Sequence, residues 1–176
     1  MVFLQYGDTA LHLAVSGKQL EIVQLLLKRT DIDQNKGNKD GNTPFDIAAE
    51  KEYFKIVKLL LERTTIDRKK VYKDGNTVLH KAASSGELEM VKLLLETSNI
   101  DPNHKNKDGN TPFDIAAEKE HFKIVKPLLE RTTIDRKKVY KDGNTVLHKA
   151  ASSGELEMVK LLLETSNIDP NQKNKV

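Results

Sequence analysis

The sequence predicts an all-α fold in which helix-turn-helix units stack on one another and protruding loops join them. The first observation is a short pattern that occurs five times, its threonine falling at positions 9, 43, 77, 111 and 145, so that each step is 34 residues. The second is the apolar rhythm of two helices within each step, and the third is a polar, turn-forming segment that closes it. A fixed period of this size is typical of arrays in which no unit can bury its apolar face alone. It argues against a closed active-site fold.

The third unit shows the elements in order. Its first helix is predicted from Thr77 to Ala83, with small alanines where another helix can approach closely. A break follows at 84–86, because glycine readily takes the left-handed conformation at a helix end. A second helix is predicted over 87–96, where apolar residues at 88, 91, 94 and 95 form one stripe. The polar segment 97–108 contains proline, asparagine and Asp-Gly, which indicate turns.

Composition limits the classes of function. Apolar residues make up 38% of the chain and charged residues 31%, as expected for a thin array with much surface. No stretch is apolar enough to span a membrane, and the first five residues do not resemble a signal peptide. The chain has no cysteine, so disulfides and thiolate metal sites are excluded. We expect a cytoplasmic location, with delivery into a host cell as an effector left open.

Residues 7–171 resemble the ankyrin repeat family, whose signature is T-P-L-H-x-A with a period near 33. The resemblance rests on Asp-Gly-Asn-Thr-Pro-Phe, Ala-Ala, Gly-Glu-Leu-Glu-Met-Val-Lys-Leu-Leu-Leu and Ile-Asp-Pro-Asn. It implies an ankyrin-repeat solenoid in which each repeat has two antiparallel helices and a β-hairpin-like finger. We expect a single array over 1–176, with repeats starting near 5, 38, 72, 106 and 140, or a fragment of a longer array. The departures are aspartate for histidine at 46 and 114, and glutamate for glycine at 52 and 120.

A second period in the sequence is twice as long as the first, at 68 residues. Residues 39–103 match 107–171 except at Tyr53/His121 and Leu59/Pro127, so the larger unit is a 68-residue pair of repeats. This indicates recent duplication or deliberate construction. Pro127 is predicted to lie inside a second helix, where proline removes a backbone donor and costs about 3 kcal/mol. A tolerated kink is the favoured interpretation, and a functional hinge is the alternative.

No pattern predicts an enzyme, a cofactor or a metal site. His12, His80 and His148 fall at one helix position in different repeats, so stacking keeps them apart, and a Ser/His/Asp relay needs hydrogen-bond contact. The resemblance implies instead that this side chain ties the helix start to the loop. Isolated glycines form no phosphate-binding loop, and His-x-x-His or cysteine spacings are absent.

The resemblance places a partner-binding surface on the finger tips and the exposed side of each first helix. It comprises these 24 residues, in chain order: Lys39, Asp40, Asn42, Glu50, Lys51, Arg68, Tyr72, Lys73, Asp74, Asn76, Ser84, Ser85, Lys107, Asp108, Asn110, Glu118, Lys119, Arg136, Tyr140, Lys141, Asp142, Asn144, Ser152 and Ser153.

The fingers also carry lysines and arginines that would form a basic edge, with interleaved aspartates. A solvated face is one interpretation of this edge, and recognition of an acidic protein surface is the other. Nucleic acid is disfavoured because aromatic residues are few in the fingers. The two finger tyrosines, Tyr72 and Tyr140, are either interface anchors or side chains packed on the next finger.

These observations favour a non-catalytic protein–protein interaction module that uses its concave surface and basic loop edge. The alternatives are a scaffold or spacer segment of a larger adaptor or effector, and an engineered or duplicated array without a native partner. Because the fifth repeat nearly copies the third, including Leu156 and Leu163, we expect it to expose apolar residues that the third buries. Self-association through uncapped ends is a further expectation.

Overall fold

The computed structural model describes residues 7–63, 70–96, 100–132, 135, 137–164 and 168–174. The chain divides into two compact units, Met1–Val71 and Tyr72–Val176, and each is described by itself. The prediction of one continuous array over 1–176 stays a prediction. Within the described ranges, no helix is long and apolar enough to cross a membrane.

The described residues form ten helices and no strand. Their bounds are α1 Ala10–Ser16, α2 Leu20–Leu27, α3 Pro44–Glu50, α4 Phe54–Arg63, α5 Val78–Ser84, α6 Leu88–Glu96, α7 Pro112–Glu118, α8 Phe122–Arg131, α9 Val146–Ser152 and α10 Leu156–Glu164. Repeats one to five are the consecutive helix pairs, from α1 and α2 to α9 and α10.

A threonine fixes the start of every first helix. Thr43, for example, is extended and its hydroxyl accepts a hydrogen bond from the Asp46 backbone N–H at 3.2 Å, while the Asp46 carboxylate accepts from the Thr43 N–H at 2.7 Å. This reciprocal capping box satisfies backbone donors that have no partner inside the helix. Pro44 follows at the first helical position, where its missing N–H costs nothing. The sequence therefore sets where each first helix begins.

The apolar core lies between helix pairs. In the first unit α1 packs on α2 and α3, and α4 packs on both α2 and α3. In the second unit α5 packs on α6 and α7, α8 packs on α6 and α7, and α9 packs on α7 and α10. Small side chains let the first helices approach closely: Ala48, Ala82 and Ala116 are fully buried. The predicted all-α fold, with helix-turn-helix repeats stacked within each unit and loops between them, is confirmed.

The corner between the two helices of a repeat has the same backbone conformation whatever its residue. Lys18, Glu52 and Glu120 have φ angles of 56°, 57° and 60°, and Gly86 and Gly154 have 76° and 71°. The left-handed conformation costs a residue with a Cβ atom roughly 1–2 kcal/mol. Glutamate at 52 and 120, noted as a departure from the family pattern, therefore keeps the turn at some cost.

Pro127 lies within α8, as predicted. The helix Phe122–Arg131 has the same length as its twin α4, Phe54–Arg63, which carries Leu59 at the matching position. The proline therefore neither ends nor shortens the helix. Because proline has no N–H, the Lys123 carbonyl one turn earlier loses its helical donor.

We predict that Pro127→Leu raises the melting temperature of the chain. Restoring the hydrogen bond and removing the ring clash should recover about 3 kcal/mol, which corresponds to roughly 5–10 °C for a chain of this size. The measurement is thermal unfolding followed by circular dichroism. The reciprocal change in the twin helix, Leu59→Pro, should lower the melting temperature. An unchanged melting temperature in Pro127→Leu would refute the strain.

Candidate functional site

Each finger, the loop that precedes a first helix, is closed by a tight turn. The Asn38 N–H donates to the Asn42 carbonyl at 2.9 Å, and the Gly41 N–H donates to the Asn38 carbonyl at 2.9 Å. The same pair of bonds recurs at 72–76, 106–110 and 140–144. Gly41 has a φ of 72°, so glycine suits this turn. The Lys-Asp dipeptide ahead of each glycine is thereby held at the tip.

Two side-chain arrangements support these turns. In repeat two the Asn38 side-chain oxygen accepts from the backbone N–H groups of Asp40 and Asn42, at 3.1 and 3.0 Å. Repeat three carries Tyr72 at the matching position, and there Asp74 accepts from the Asn76 backbone N–H at 2.9 Å. Each finger type therefore satisfies the same turn donor with a different acceptor. The turn shape survives the change from asparagine to tyrosine.

Histidine at the helix start joins one repeat to the next. The Thr9 N–H donates to His12 Nδ1 at 3.1 Å, and His12 Nε2 lies 2.9 Å from the Asn42 carbonyl of the following finger. His80 makes the equivalent contacts, with Asn110 O 3.1 Å from its Nε2. Because Nδ1 accepts a backbone hydrogen, the ring is neutral and Nε2 carries the proton. Both nitrogens are engaged, which leaves neither for a metal or a general base.

Repeats two and four have aspartate in place of this histidine, and a lysine of the following finger contacts that aspartate. The Asp46 carboxylate is buried and accepts from Lys70 Nζ at 2.7 Å, and Lys70 comes from the following finger. Lys70 Nζ also donates to Asn42 Oδ1 at 3.0 Å. Asp114 and Lys138 form the matching pair at 2.8 Å. The departure from histidine at 46 and 114 is therefore compensated by a lysine 24 residues later.

From the sequence, Lys70 and Lys138 are predicted to belong to the basic finger edge. Lys70 and Lys138 are instead half-buried and turned toward a carboxylate of the preceding repeat. The sequence does hold a signal, since both aspartate repeats have lysine at the same offset. The signal is weak because the offset also falls on Lys36 after His12.

We predict that Lys70→Met lowers the free energy of unfolding by about 1–3 kcal/mol, because it leaves the buried Asp46 carboxylate without its cation. The measurement is urea unfolding. In a double-mutant cycle with Asp46→Asn, the two effects should be non-additive by about 1 kcal/mol or more. Lys58→Met, at an exposed position on α4, is the control and should have little effect. Additive effects of the two substitutions would contradict a direct ion pair.

Burial lowers the pKa of His80 to about 4. The first cause is loss of solvent around the fully buried ring, and the nearby His104, whose ring centroid lies 5.9 Å away, adds to it. The Asn110 carbonyl and Asp74 act in the opposite direction. The ordinary pKa of histidine is 6.5. As the pH falls from 6.5 to about 4, His80 therefore binds a proton in the unfolded chain but stays unprotonated in the folded chain.

His80 should therefore destabilise the fold in mild acid. The free energy of unfolding is unaffected by this proton above the ordinary pKa. On the order of 2 kcal/mol of that free energy is lost by about pH 5. His80→Gln should flatten the dependence of unfolding free energy on pH. The NMR titration of the His80 ring in the intact chain gives a direct second readout. A titration midpoint near the ordinary value would refute the shift.

Most of the predicted partner-binding residues lie on the surface. The exposed ones are Lys39, Asp40, Glu50, Lys51, Lys73, Asp74, Ser85, Lys107, Asp108, Lys119, Lys141, Asp142, Ser152 and Ser153. The half-buried ones are Asn42, Tyr72, Asn76, Ser84, Asn110, Glu118 and Asn144. Arg68 and Arg136 lie outside the described residues. Within each unit, the exposed Lys-Asp pairs recur once per finger.

The two finger tyrosines are not equivalent. Tyr140 is only 7% exposed, whereas Tyr72 is half-buried. Burial, together with the nearby carboxylates of Asp114 and Glu118, raises the pKa of Tyr140 above its ordinary value. Lys149 Nζ lies 5.8 Å from the Tyr140 ring centroid. Tyr140 therefore offers little surface to a partner.

Some charges of the candidate surface are already paired. Lys149 donates to Asp142 at 2.5 Å, which holds the pKa of that carboxyl below its ordinary value. Lys119 Nζ donates to the Ser84 hydroxyl at 2.6 Å, and Ser153 donates to Glu120 at 2.8 Å. Lys149 is buried, so its ion pair with Asp142 is held in place. The two serine hydrogen bonds are exposed, so a partner can rearrange them at low cost.

In the part of the chain that the structure describes, no group of side chains that could hold a metal ion is present. No cluster of three or more histidine, aspartate or glutamate side chains occurs there. A groove of about 570 Å³ lies on the second helices α6, α8 and α10. Its lining combines lysines and glutamates around Phe122, Pro127 and Met158.

Known proteins similar to this chain contain the same helix pairs and fingers, the ankyrin repeats. The family model for ankyrin repeats in three copies matches residues 3–71 and 65–139, and the single ankyrin repeat model matches 142–175. No curated protein matches. Among solved structures, the chain is similar to the ankyrin repeat domain of Bcl-3, described as a unique member of the IkappaB protein family. The identity is 28%, over 93% of this chain and 74% of that one, with a TM-score of 0.65.

Proposed function

The chain belongs to the ankyrin repeat family, whose members are generally protein–protein interaction modules, and on that premise we propose that it binds another protein without catalysing a reaction. The observation that carries the proposal is the exposed Lys-Asp pair at each finger tip, held on a hydrogen-bonded turn. A surface that is formed before binding loses little conformational entropy when a partner docks.

The exposed cations favour a partner with an acidic surface. Lys73, Lys107 and Lys141 occupy matching positions on the three fingers of the second unit, and all three are exposed. The neighbouring aspartates limit the field, so we expect charge to set orientation and association rate more than affinity. Contacts of modest strength add over successive fingers when one partner spans them.

A role without catalysis is supported by the state of the titratable groups. His12 and His80 use both ring nitrogens in structural hydrogen bonds, and Asp46 and Asp114 are neutralised by lysines. A general base needs a free lone pair within reach of a substrate proton. None of these four side chains offers one.

Affinity capture from cell lysate tests the proposal. The parent chain should retain a specific protein that is lost from the triple variant Lys73→Glu, Lys107→Glu and Lys141→Glu. The control carries the same charge change at exposed positions of the second helices, Lys55→Glu, Lys58→Glu and Lys123→Glu, and should still retain the protein. Circular dichroism verifies that all three chains are folded.

Two outcomes would overturn this assignment. If the parent captures nothing specific, the fingers are not a binding surface for a protein of that lysate, and a scaffold or spacer role becomes the better account. If all three chains capture the same protein, binding occurs elsewhere than at the finger tips.

A further inference from the structure

The second unit contains fingers three, four and five, whose tips have the same sequence, Lys-Asp-Gly-Asn, but hold the aspartate differently. In finger three both carboxylate oxygens of Asp74 accept hydrogen bonds from Asn76, one from its backbone N–H at 2.9 Å and one from its side chain at 2.7 Å. In finger five Asp142 accepts from the Asn144 N–H at 3.1 Å and from Lys149 Nζ at 2.5 Å. These two aspartates are therefore engaged within the chain.

Finger four differs because it has asparagine where fingers three and five have tyrosine. Asn106 Oδ1 accepts from the Asn110 backbone N–H at 2.9 Å, and so takes the donor that the aspartate binds in the other two fingers. Asp108 is exposed, and neither of its carboxylate oxygens has a hydrogen-bond or ion-pair partner among the described residues. Asn106 therefore leaves Asp108 available to a group from outside the chain.

The first helices reinforce this difference. Repeats three and five carry Lys81 and Lys149 at the same helix position, where repeat four carries Ile115. Partial burial acts to raise the pKa of Asp74, but hydrogen bonds within its turn and the charge of Lys81 outweigh burial and lower that pKa. Lys149 is buried and pairs with Asp142. Ile115 supplies no cation to finger four.

The lysine beside each of these aspartates is exposed. Lys73, Lys107 and Lys141 have no ion-pair partner in the part of the chain that the structure describes. Fingers three and five therefore offer a partner a cation, whereas finger four offers a cation and a carboxylate. Lys105 is exposed three residues before Asp108, so a cation that approaches this carboxylate needs carboxylates of its own nearby to offset the two lysines.

Bonds between the fingers fix their order and spacing. The Lys107 backbone N–H donates to the Asp74 carbonyl at 3.2 Å, which joins finger four to finger three. Lys138 Nζ, in the loop of finger five, donates to the Asn110 side chain at 2.8 Å, which joins finger five to finger four. Packed helices lie about 8–10 Å apart, so fingers three and five are about 16–20 Å apart.

On the premise of the protein-binding function proposed above, we propose that the partner places an arginine on Asp108, between two groups of carboxylates that face Lys73 and Lys141. Arginine fits because its planar guanidinium donates to both oxygens of a carboxylate at once. The carboxylates on either side offset the repulsion from the lysines of finger four. Asp108 thereby determines which acidic surface the fingers select.

Two synthetic peptides of equal length test this order of charges. Each has a pair of glutamates at both ends, with the pairs about six residues apart because an extended chain advances about 3.3 Å per residue. The central residue is arginine in one peptide and citrulline, its uncharged analogue, in the other. In NMR titrations of the full chain, the parent should bind the arginine peptide roughly three- to fivefold more tightly. The amides of Gly109 and Asn110 should respond most differently to the two peptides.

Variants of the chain locate the arginine. Asp108→Asn should abolish the preference for the arginine peptide, yet bind the citrulline peptide at least as well as the parent does, which verifies that its fingers are folded. Glu130→Gln makes the same change of charge at an exposed position of α8 and should keep the preference of the parent. Asp108→Arg should reverse the preference, in favour of a third peptide that has glutamate at its centre.

A parent that binds neither peptide at millimolar concentration, or binds both equally, would overturn the proposal. Retention of the arginine preference by Asp108→Asn would also overturn it, since the arginine would then be bound elsewhere. The capture experiment with the triple variant Lys73→Glu, Lys107→Glu and Lys141→Glu is judged separately. Loss of capture in that variant, without an arginine preference in the parent, leaves the protein-binding function standing and refutes only the order of charges.

Discussion

The interaction on which this structure depends is the bond that joins the start of α1, α3, α5 or α7 to the finger that follows it. His12 and His80 reach the backbone carbonyls of Asn42 and Asn110, one repeat further along. Each bond is removed from solvent, so loss of either partner leaves a buried polar group unsatisfied at a cost of about 1–3 kcal/mol. The stack of helices and the position of the fingers are thereby coupled. The start of one helix therefore holds the turn of the next finger in place.

Two kinds of contact between repeats alternate along the chain: a histidine bonded to a backbone carbonyl, and an aspartate paired with a lysine. This alternation explains why the larger unit is a pair of repeats. An aspartate repeat needs the lysine of the next finger, since Asp46 without Lys70 is a buried charge with no cation. The duplicated blocks 39–103 and 107–171 each contain both partners of their ion pair. Exchange of a single repeat would separate them, whereas duplication of the pair keeps every buried charge matched.

The fold was predictable because its signals are local and recur five times. The threonine caps and the apolar stripes each lie within one repeat, so the helices and their stacking within each unit followed from the sequence. The half-buried position of Lys70 did not, because a lysine in a polar loop looks exposed until its partner is located. Tyr72 and Tyr140 show even more clearly that burial cannot be inferred from the local sequence. Their local sequences are identical, and only the packing of neighbouring repeats makes one half-buried and the other buried.

At the corner between the two helices of a repeat, the path of the backbone does not depend on which side chain is present. The conformation of the corner is set by the backbone, as in the bond from the Gln19 N–H to the Ala14 carbonyl at 2.9 Å, while the side chains of Lys18, Glu52 and Glu120 lie on the surface. The chain therefore places a cation, an anion or no side chain at equivalent corners without altering the path of its backbone. Such corners are sites where surface charge can diverge between copies while the helices on either side remain constant.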